Sequence, residues 1–237
     1  LFVTSKFQDF EIREFEILDS TNLHAKLIAD EAPDKLVIVA NNQTSGKGRG
    51  GKEWFSDEGN LFFSIILEVN KIKDFELISL ISAFTISEII DDLGANTKIK
   101  WPNDVLINDK KFSGILLEKY KNKLIIGIGI NTVSSPEFLD GKKSATNLLL
   151  EKILINNQDF LYKFLTRFSL NIKKFNNEGF LGFLLQINAR LYKKNEMAEL
   201  DYLGKKYSGK VLHVAENGNL VLSIENKDKQ FNIGEIL

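Results

Sequence analysis

The sequence predicts a mixed α/β domain over residues 1–192 followed by a small all-β domain over residues 193–237. Three observations carry this. Apolar strand-like runs at 36–40 and 60–69 alternate with a long helical period at 75–93, the pattern of sheet and helix layers sharing one core. Beyond Lys193 the helical period stops, and the turn pairs Leu203-Gly204, Asn217-Gly218 and Lys227-Asp228 punctuate short strands. At 237 residues the chain is long enough for one substantial core with a small appendage.

The elements follow in order. Residues 10–18 alternate as a strand and end at Asp19-Ser20-Thr21-Asn22. That polar cluster precedes Leu23, Ala25, Leu27, Ile28 and Ala29, so it reads as the start of a short helix, which Pro33 and Asp34 terminate. Residues 36–40 form a strand, and 60–69 are apolar enough for a mid-sheet strand. Gly94 stops the helix at 75–93. Short strands at 97–101 and 104–107 flank Pro102-Asn103, Asn108-Asp109 makes a hairpin turn, and strands return at 111–119 and 123–130. A polar loop at 131–147 holds Pro136, Asp140 and Gly141, and helices follow at 160–175 and 180–191. In the last segment Asn217-Gly218 lies between the apolar runs 211–214 and 220–224, a strong hairpin signal. A β-domain this small is expected to dock on the larger one rather than stand alone.

Composition narrows the function. Lys and Arg number 31 against 32 Asp and Glu, a net charge of −1 that argues against a general nucleic-acid binder. There is no cysteine, which excludes disulfides, thiolate metal sites and a thiol nucleophile and agrees with a cytoplasmic location. With His24 and His213 the only histidines, a multi-histidine metal site is poorly supplied. No apolar run reaches the roughly 18 residues of a membrane helix, and no signal peptide opens the chain.

The segment Gly46-Lys47-Gly48-Arg49-Gly50-Gly51 is the most informative. Its glycines allow close backbone approach to a ligand, and Lys47, Arg49 and Lys52 bring local positive charge. Gly46, Gly48 and Gly51 fit a dinucleotide-binding spacing, but residues 52–60 carry turn signals where that motif requires a helix. A phosphate-binding loop of the Gly-Lys-Ser/Thr kind fails too, because Glu53 stands where a hydroxyl must meet magnesium. A solvated hairpin loop is the plain alternative. Downstream, Lys100 sits between Ile99 and Trp101, where burying an unpartnered ammonium is costly.

Taken together, Asp19-Ser20-Thr21-Asn22, Gln43 with residues 46–51 and Trp54, Lys100-Trp101-Pro102-Asn103-Asp104, and the run 111–118 resemble the biotin protein ligases in order and spacing. Gly127-Ile128-Gly129-Ile130-Asn131, Ala145-Thr146-Asn147-Leu148 and Gly234-Glu235-Ile236 match later segments of that family. The resemblance implies a catalytic domain like that of class II aminoacyl-tRNA synthetases and a C-terminal SH3-like barrel that helps bind ATP or position the acceptor. It implies formation of biotinyl-5′-AMP from biotin and MgATP, then transfer to a lysine of a biotin carboxyl carrier domain. It assigns Ser20, Thr21, Asn22, Gln43, Lys47, Gly48, Arg49, Lys100, Gly114 and Ile115 to biotin. It assigns Arg49, Trp54, Lys100, Asn103, Lys111 and Asn131 to ATP or the adenylate, with Lys100 and Arg49 as the catalytic pair. Asp104 is expected to bind Mg2+ or to orient Lys100, and residues 132–147 to form a second lid over the adenine. Lys47 stands where the family commonly has arginine, which exchanges a forked donor for a point charge.

Some members of the family carry an N-terminal helix-turn-helix domain. Here the motif begins at Asp19, so neither DNA binding nor repressor function is expected. A homodimer is allowed by family analogy alone. Two other readings stay open on the sequence: a lipoate ligase or octanoyltransferase of related fold, and a non-catalytic biotin-binding regulatory module.

Overall fold

The computed structural model describes residues 2–137 and 145–237. Eight strands form one sheet: β1 (Phe2–Phe7), β2 (Phe10–Leu18), β3 (Leu36–Gln43), β4 (Leu61–Glu68), β5 (Lys98–Lys100), β6 (Asp104–Ile107), β7 (Lys110–Tyr120) and β8 (Lys123–Ile130). Their order is β1-β2-β3-β4-β8-β7-β6-β5. The pair β2–β3 is parallel and is joined across the sheet by helix α1 (Thr21–Leu27); the other neighbours are antiparallel. Strand β1, absent from the sequence reading, adds an edge to β2. Its side chains are mostly exposed, so it lacks the apolar alternation that would have announced it.

Side chains of period two divide β3, β4 and β8 between the two faces. Val37, Val39, Phe63, Ile65, Ile126 and Ile128 pack on one face, against α2 (Ile78–Asp92), α3 (Asn157–Glu178) and α4 (Leu181–Ala189). Leu36, Ile38, Ile66 and Ile125 face the other way and pack on Ala25 of α1. Helix α2 is buried almost all round; Thr85 and Ser87 within it satisfy their hydroxyls on the carbonyls of Ile81 and Ala83. Helix α3 is capped by Asn156, which accepts from the Asp159 N–H, and ends at Gly179 with φ of 69°. It begins three residues earlier than its apolar period (157 against 160) because a capping turn is polar by nature.

The second sheet contains β9 (Met197–Tyr202), β10 (Lys205–Val214), β11 (Leu220–Ile224), β12 (Lys227–Phe231) and β13 (Glu235–Ile236) in the order β12-β11-β10-β9-β13. The expected hairpin at Asn217-Gly218 joins β10 to β11. This unit docks on the larger domain, as its size requires. Leu200, Val211, Val214, Leu220 and Phe231 join the same apolar cluster as α2 and the large sheet. At the junction Trp101 Nε1 donates to the Gly218 carbonyl at 2.9 Å, and Asn188 exchanges two hydrogen bonds with the Val214 backbone. Gly218 has φ of 80° and lies against Leu77, so no side chain fits there.

Replacing Trp101 by Phe strands the buried Gly218 carbonyl. It is expected to lower the unfolding free energy by about 1–3 kcal/mol, measured by urea denaturation. A loss below about 0.5 kcal/mol, the usual scale of an innocuous surface change, would show that this bond does not hold the two sheets together.

Candidate active site

The α1 face of the sheet changes character toward one end. On β8 the side chains on this face run Ile125, Gly127, Gly129; on β7 the register partner of Gly129 is Gly114; on β4 Ile66 gives way to Ser64. These three glycines make a floor without side chains. Asn22 lies on Gly127 so closely that an added Cβ would overlap its Oδ1, and the Trp54 indole lies on Gly114 and Gly129 in the same way. A glycine inside a strand marks such a close approach.

A polar cluster stands at one end of the floor. Ser20 is the N-cap residue of α1, but its side chain makes no capping bond. The Thr21 N–H is instead taken by Gln43 Oε1 at 2.8 Å, and Thr21 Oγ1 donates to the same oxygen at 3.2 Å. Gln43 Nε2 in turn donates to Ser56 at 3.0 Å. The fully buried Ser64 hydroxyl lies 2.8 Å from Thr21 Oγ1 and 2.6 Å from Asn22 Oδ1. Ser20, Thr21, Asn22 and Gln43 are all buried, and they line a cavity of about 50 Å³ with Lys47, Gly48, Arg49, Trp54, Asn103, Lys111, Gly114 and Ile115. Every residue assigned to biotin except Lys100 borders this one cavity.

The glycine-rich segment folds back as a narrow hairpin. Lys47 bridges Glu53, Gly48 N–H donates to the Lys52 carbonyl at 2.7 Å, and Trp54 N–H donates to the Gly46 carbonyl at 2.9 Å. Gly50 and Gly51 take φ of 68° and 77°, which glycine adopts without strain. No helix follows, so both nucleotide motifs rejected on sequence context stay rejected.

Cations gather on the far side of Trp54, in an open cleft of about 1040 Å³ that also borders Lys100, Asn103, Asp104, Lys111 and Asn131. Lys100, on β5 between buried Ile99 and Trp101, has a side chain only 13% exposed, and its Nζ lies 4.0 Å from Glu235. Arg49 donates to Asn103 Oδ1 at 3.2 Å and to the Gly234 carbonyl, and Lys52 pairs with Glu235. Asn103 also donates to the Ile115 carbonyl at 2.8 Å and so ties its turn to β7. Asp104 pairs with Lys111 Nζ at 2.7 Å. Lys111 Nζ sits 5.1 Å from the Trp54 ring centroid. Among the described residues, the buried donor Trp54 Nε1 and the buried acceptor Asn131 Oδ1 have no hydrogen-bond partner.

Sequence reasoning missed several groups. Ser64 hides in an apolar strand; a lone hydroxyl there was its only signal. Gly127 and Gly129 carried the signal of glycine inside a strand but received no role. Glu235 comes to the cations from a separate sheet, which no local pattern announces. Of the segment expected to lid the adenine, Ser135, Pro136, Glu137 and Ala145 border the cleft, and residues 138–144 lie outside the described residues.

Residues 14–132 match the Biotin/lipoate A/B protein ligase family. The bifunctional ligase/repressor BirA of Bacillus subtilis is 30% identical over 233 residues, covering 93% of this chain and 72% of that protein. The biotin–[acetyl-CoA-carboxylase] ligase of Paracoccus denitrificans is 30% identical over 128 residues, covering 50% of this chain and 53% of that protein. Among solved structures, the biotin protein ligase from Aquifex aeolicus in complex with biotin and ATP superposes with a TM-score of 0.86 at 31% identity, covering 95% of this chain and 97% of that one. With the polar cluster, glycine floor and lysine in place, the chain belongs to the Biotin/lipoate A/B protein ligase family.

Proposed function

We propose that the chain is a biotin–protein ligase that condenses biotin with ATP to biotinyl-5′-AMP and passes the biotinyl group to a lysine of a biotin carboxyl carrier domain. One observation carries this reading: a buried polar cluster and a cationic cleft lie at the two ends of one side-chain-free floor. That spacing suits a ligand with a polar ring at one end and an anion at the other. The ureido ring of biotin offers one acceptor oxygen and two N–H donors to Ser20, Thr21, Asn22 and Gln43, with Gly114 and Ile115 as the wall. Its carboxylate then points toward Arg49 and Lys100.

The chemistry needs no base in the first step. The carboxylate is already ionised at neutral pH. Its oxygen attacks the α-phosphorus of ATP, pyrophosphate leaves, and a mixed anhydride remains. Catalysis rests on holding two mutually repelling anions in contact and neutralising the charge that develops. Lys100, mostly withdrawn from water, is the central cation, with Arg49 and Lys47 closing from the loop and Lys111 from β7. In the second step the amine of the acceptor lysine attacks the acyl carbon and AMP leaves.

Trp54 Nε1 and Asn131 Oδ1, without a hydrogen-bond partner among the described residues, suit a nucleoside. Asn131 Oδ1 only accepts, so it calls for a ribose hydroxyl or an amino group rather than a phosphate oxygen. Among the described residues no group of three or more His, Cys, Asp or Glu gathers as a metal site. Asp104, paired with Lys111, is a single carboxylate suited to magnesium that arrives on the ATP phosphates as part of the substrate. The cavity of about 50 Å³ over the floor is far below the roughly 300 Å³ at which ligand pockets begin. The ligand therefore extends past this cavity into the adjoining cleft, with which it shares Gly48, Arg49, Trp54, Asn103 and Lys111.

Biotin-dependent ATP–pyrophosphate exchange tests the reading. Wild-type protein is expected to exchange, and Lys100→Ala to fall by about 100-fold or more, the scale of losing a preorganised charge at the reacting centre. Exchange with lipoate but not biotin would move the chain to the lipoate branch of its family. Biotin binding without exchange would make it a sensor. Carrier biotinylation by wild-type protein that Arg49→Ala leaves untouched would remove Arg49 from the catalytic pair.

A further inference from the structure

Glu118 ends the motif run on β7 but borders neither cavity, and the mechanism gives it no task. It stands on the α1 face of the sheet, opposite Ile125 in register and two residues beyond Leu116, the partner of Gly127. Its two oxygens are divided. Oε1 lies 3.9 Å from Lys26 Nζ on α1, and Oε2 accepts from Asn22 Nδ2 at 3.0 Å. The same Asn22 nitrogen reaches the Leu116 carbonyl at 3.5 Å.

An asparagine amide has two donor hydrogens and one acceptor oxygen. Both donors of Asn22 point at β7, and its oxygen accepts from Ser64 with a further lone pair left over. Asn22 borders the cavity and rests on the Gly127 backbone, so the group it offers there is the acceptor. Rotating the amide by half a turn would lose a charge-assisted hydrogen bond and set a carbonyl oxygen against a carboxylate. Lys26 steadies the carboxylate from the same helix.

We propose that Glu118 is a positioning residue that locks the Asn22 amide with its oxygen toward the cavity, so that the site selects a ligand presenting an N–H donor at that point. This rests on the reading of the polar end as the seat of the biotin ureido ring. The selection is strong because an acceptor facing an acceptor leaves both unpaired and desolvated. Glu118 thus sets specificity without touching the ligand.

The test compares biotin with two cyclic carbamate analogues, in each of which one ureido N–H is replaced by a ring oxygen, using exchange kinetics and calorimetry. Wild-type protein is expected to reject one of the two by at least about tenfold relative to biotin. In Glu118→Ala the KM for biotin rises roughly tenfold, as for a lost charge-assisted bond. In that variant kcat stays within about twofold and discrimination against the rejected analogue falls at least about fivefold, because the amide is free to rotate. In Glu118→Gln, which still accepts, the KM stays within about threefold of wild type while discrimination falls, since two facing amides can rotate together. Glu118→Gln carries the test if the alanine variant does not fold. Unchanged discrimination in a folded Glu118 variant overturns the proposal. Asn22→Ala separates the two readings: if it binds biotin as tightly as wild type, the assignment of the polar end fails. If it weakens binding while the Glu118 variants match wild type, only the positioning role fails.

Discussion

Along β8 the side chains on the α1 face are present at Ile125 and gone at Gly127 and Gly129, and the seating of Asn22 and Trp54 depends on that change. Before it, α1 packs on the sheet through Ala25, Leu36, Ile38, Ile66 and Ile125 as an ordinary apolar layer. After it, Gly127 and Gly129 of β8 and Gly114 of β7 present bare backbone among Ser64, Phe62 and Leu116, and the first turn of α1 hangs over the opening. Asn22 descends onto Gly127, and Trp54 descends onto Gly129 and Gly114. A methyl group at Gly127 or Gly129 would fill the space that these side chains use. The sheet thus builds its site by subtraction, and β4, β7 and β8, each paired with a strand on both sides, hold the floor in place.

The two ends of the floor are held by different physics. The polar end is a hydrogen-bond network in which Gln43, Thr21, Ser64 and Asn22 bond to one another and to Ser56 and β7. Such a network is rigid because each unmade bond in a buried place is expensive. The cationic end is held by charge and spans both sheets. Glu235 of the last strand of the small domain and the Gly234 carbonyl just before it reach Lys52, Lys100 and Arg49. The small domain is therefore in contact with the cations of the cleft, and Trp101 and Gly218 fix its stance.

The large elements were legible because each repeats a simple period: β3, β4 and β8 as apolar runs, α2 and α3 as 3.6-residue patterns, and the Asn217-Gly218 hairpin as a local turn code. The site motifs were legible as a set, and most of their residues do converge on one cavity. Three kinds of feature were not. Strand β1 is exposed at a sheet edge and leaves no apolar signature. Partnerships such as Asp104 with Lys111 depend on a register shift between β6 and β7 that spacing does not encode. Contacts made by Glu235 join residues far apart in the chain. Isolated glycines in β7 and β8 were readable, and taking them as close-approach positions would have placed the floor.

The floor can be tested by giving it one methyl group. In Gly127→Ala the new Cβ takes the space of Asn22 Oδ1, so direct titration with biotin should show affinity lowered by about 100-fold or more, with ATP affinity close to wild type. A loss of that order corresponds to about 2.7 kcal/mol at the ligand. Biotin affinity equal to wild type in a folded Gly127→Ala protein would contradict the account, because it would mean that the bare backbone beneath Asn22 is not what makes the site.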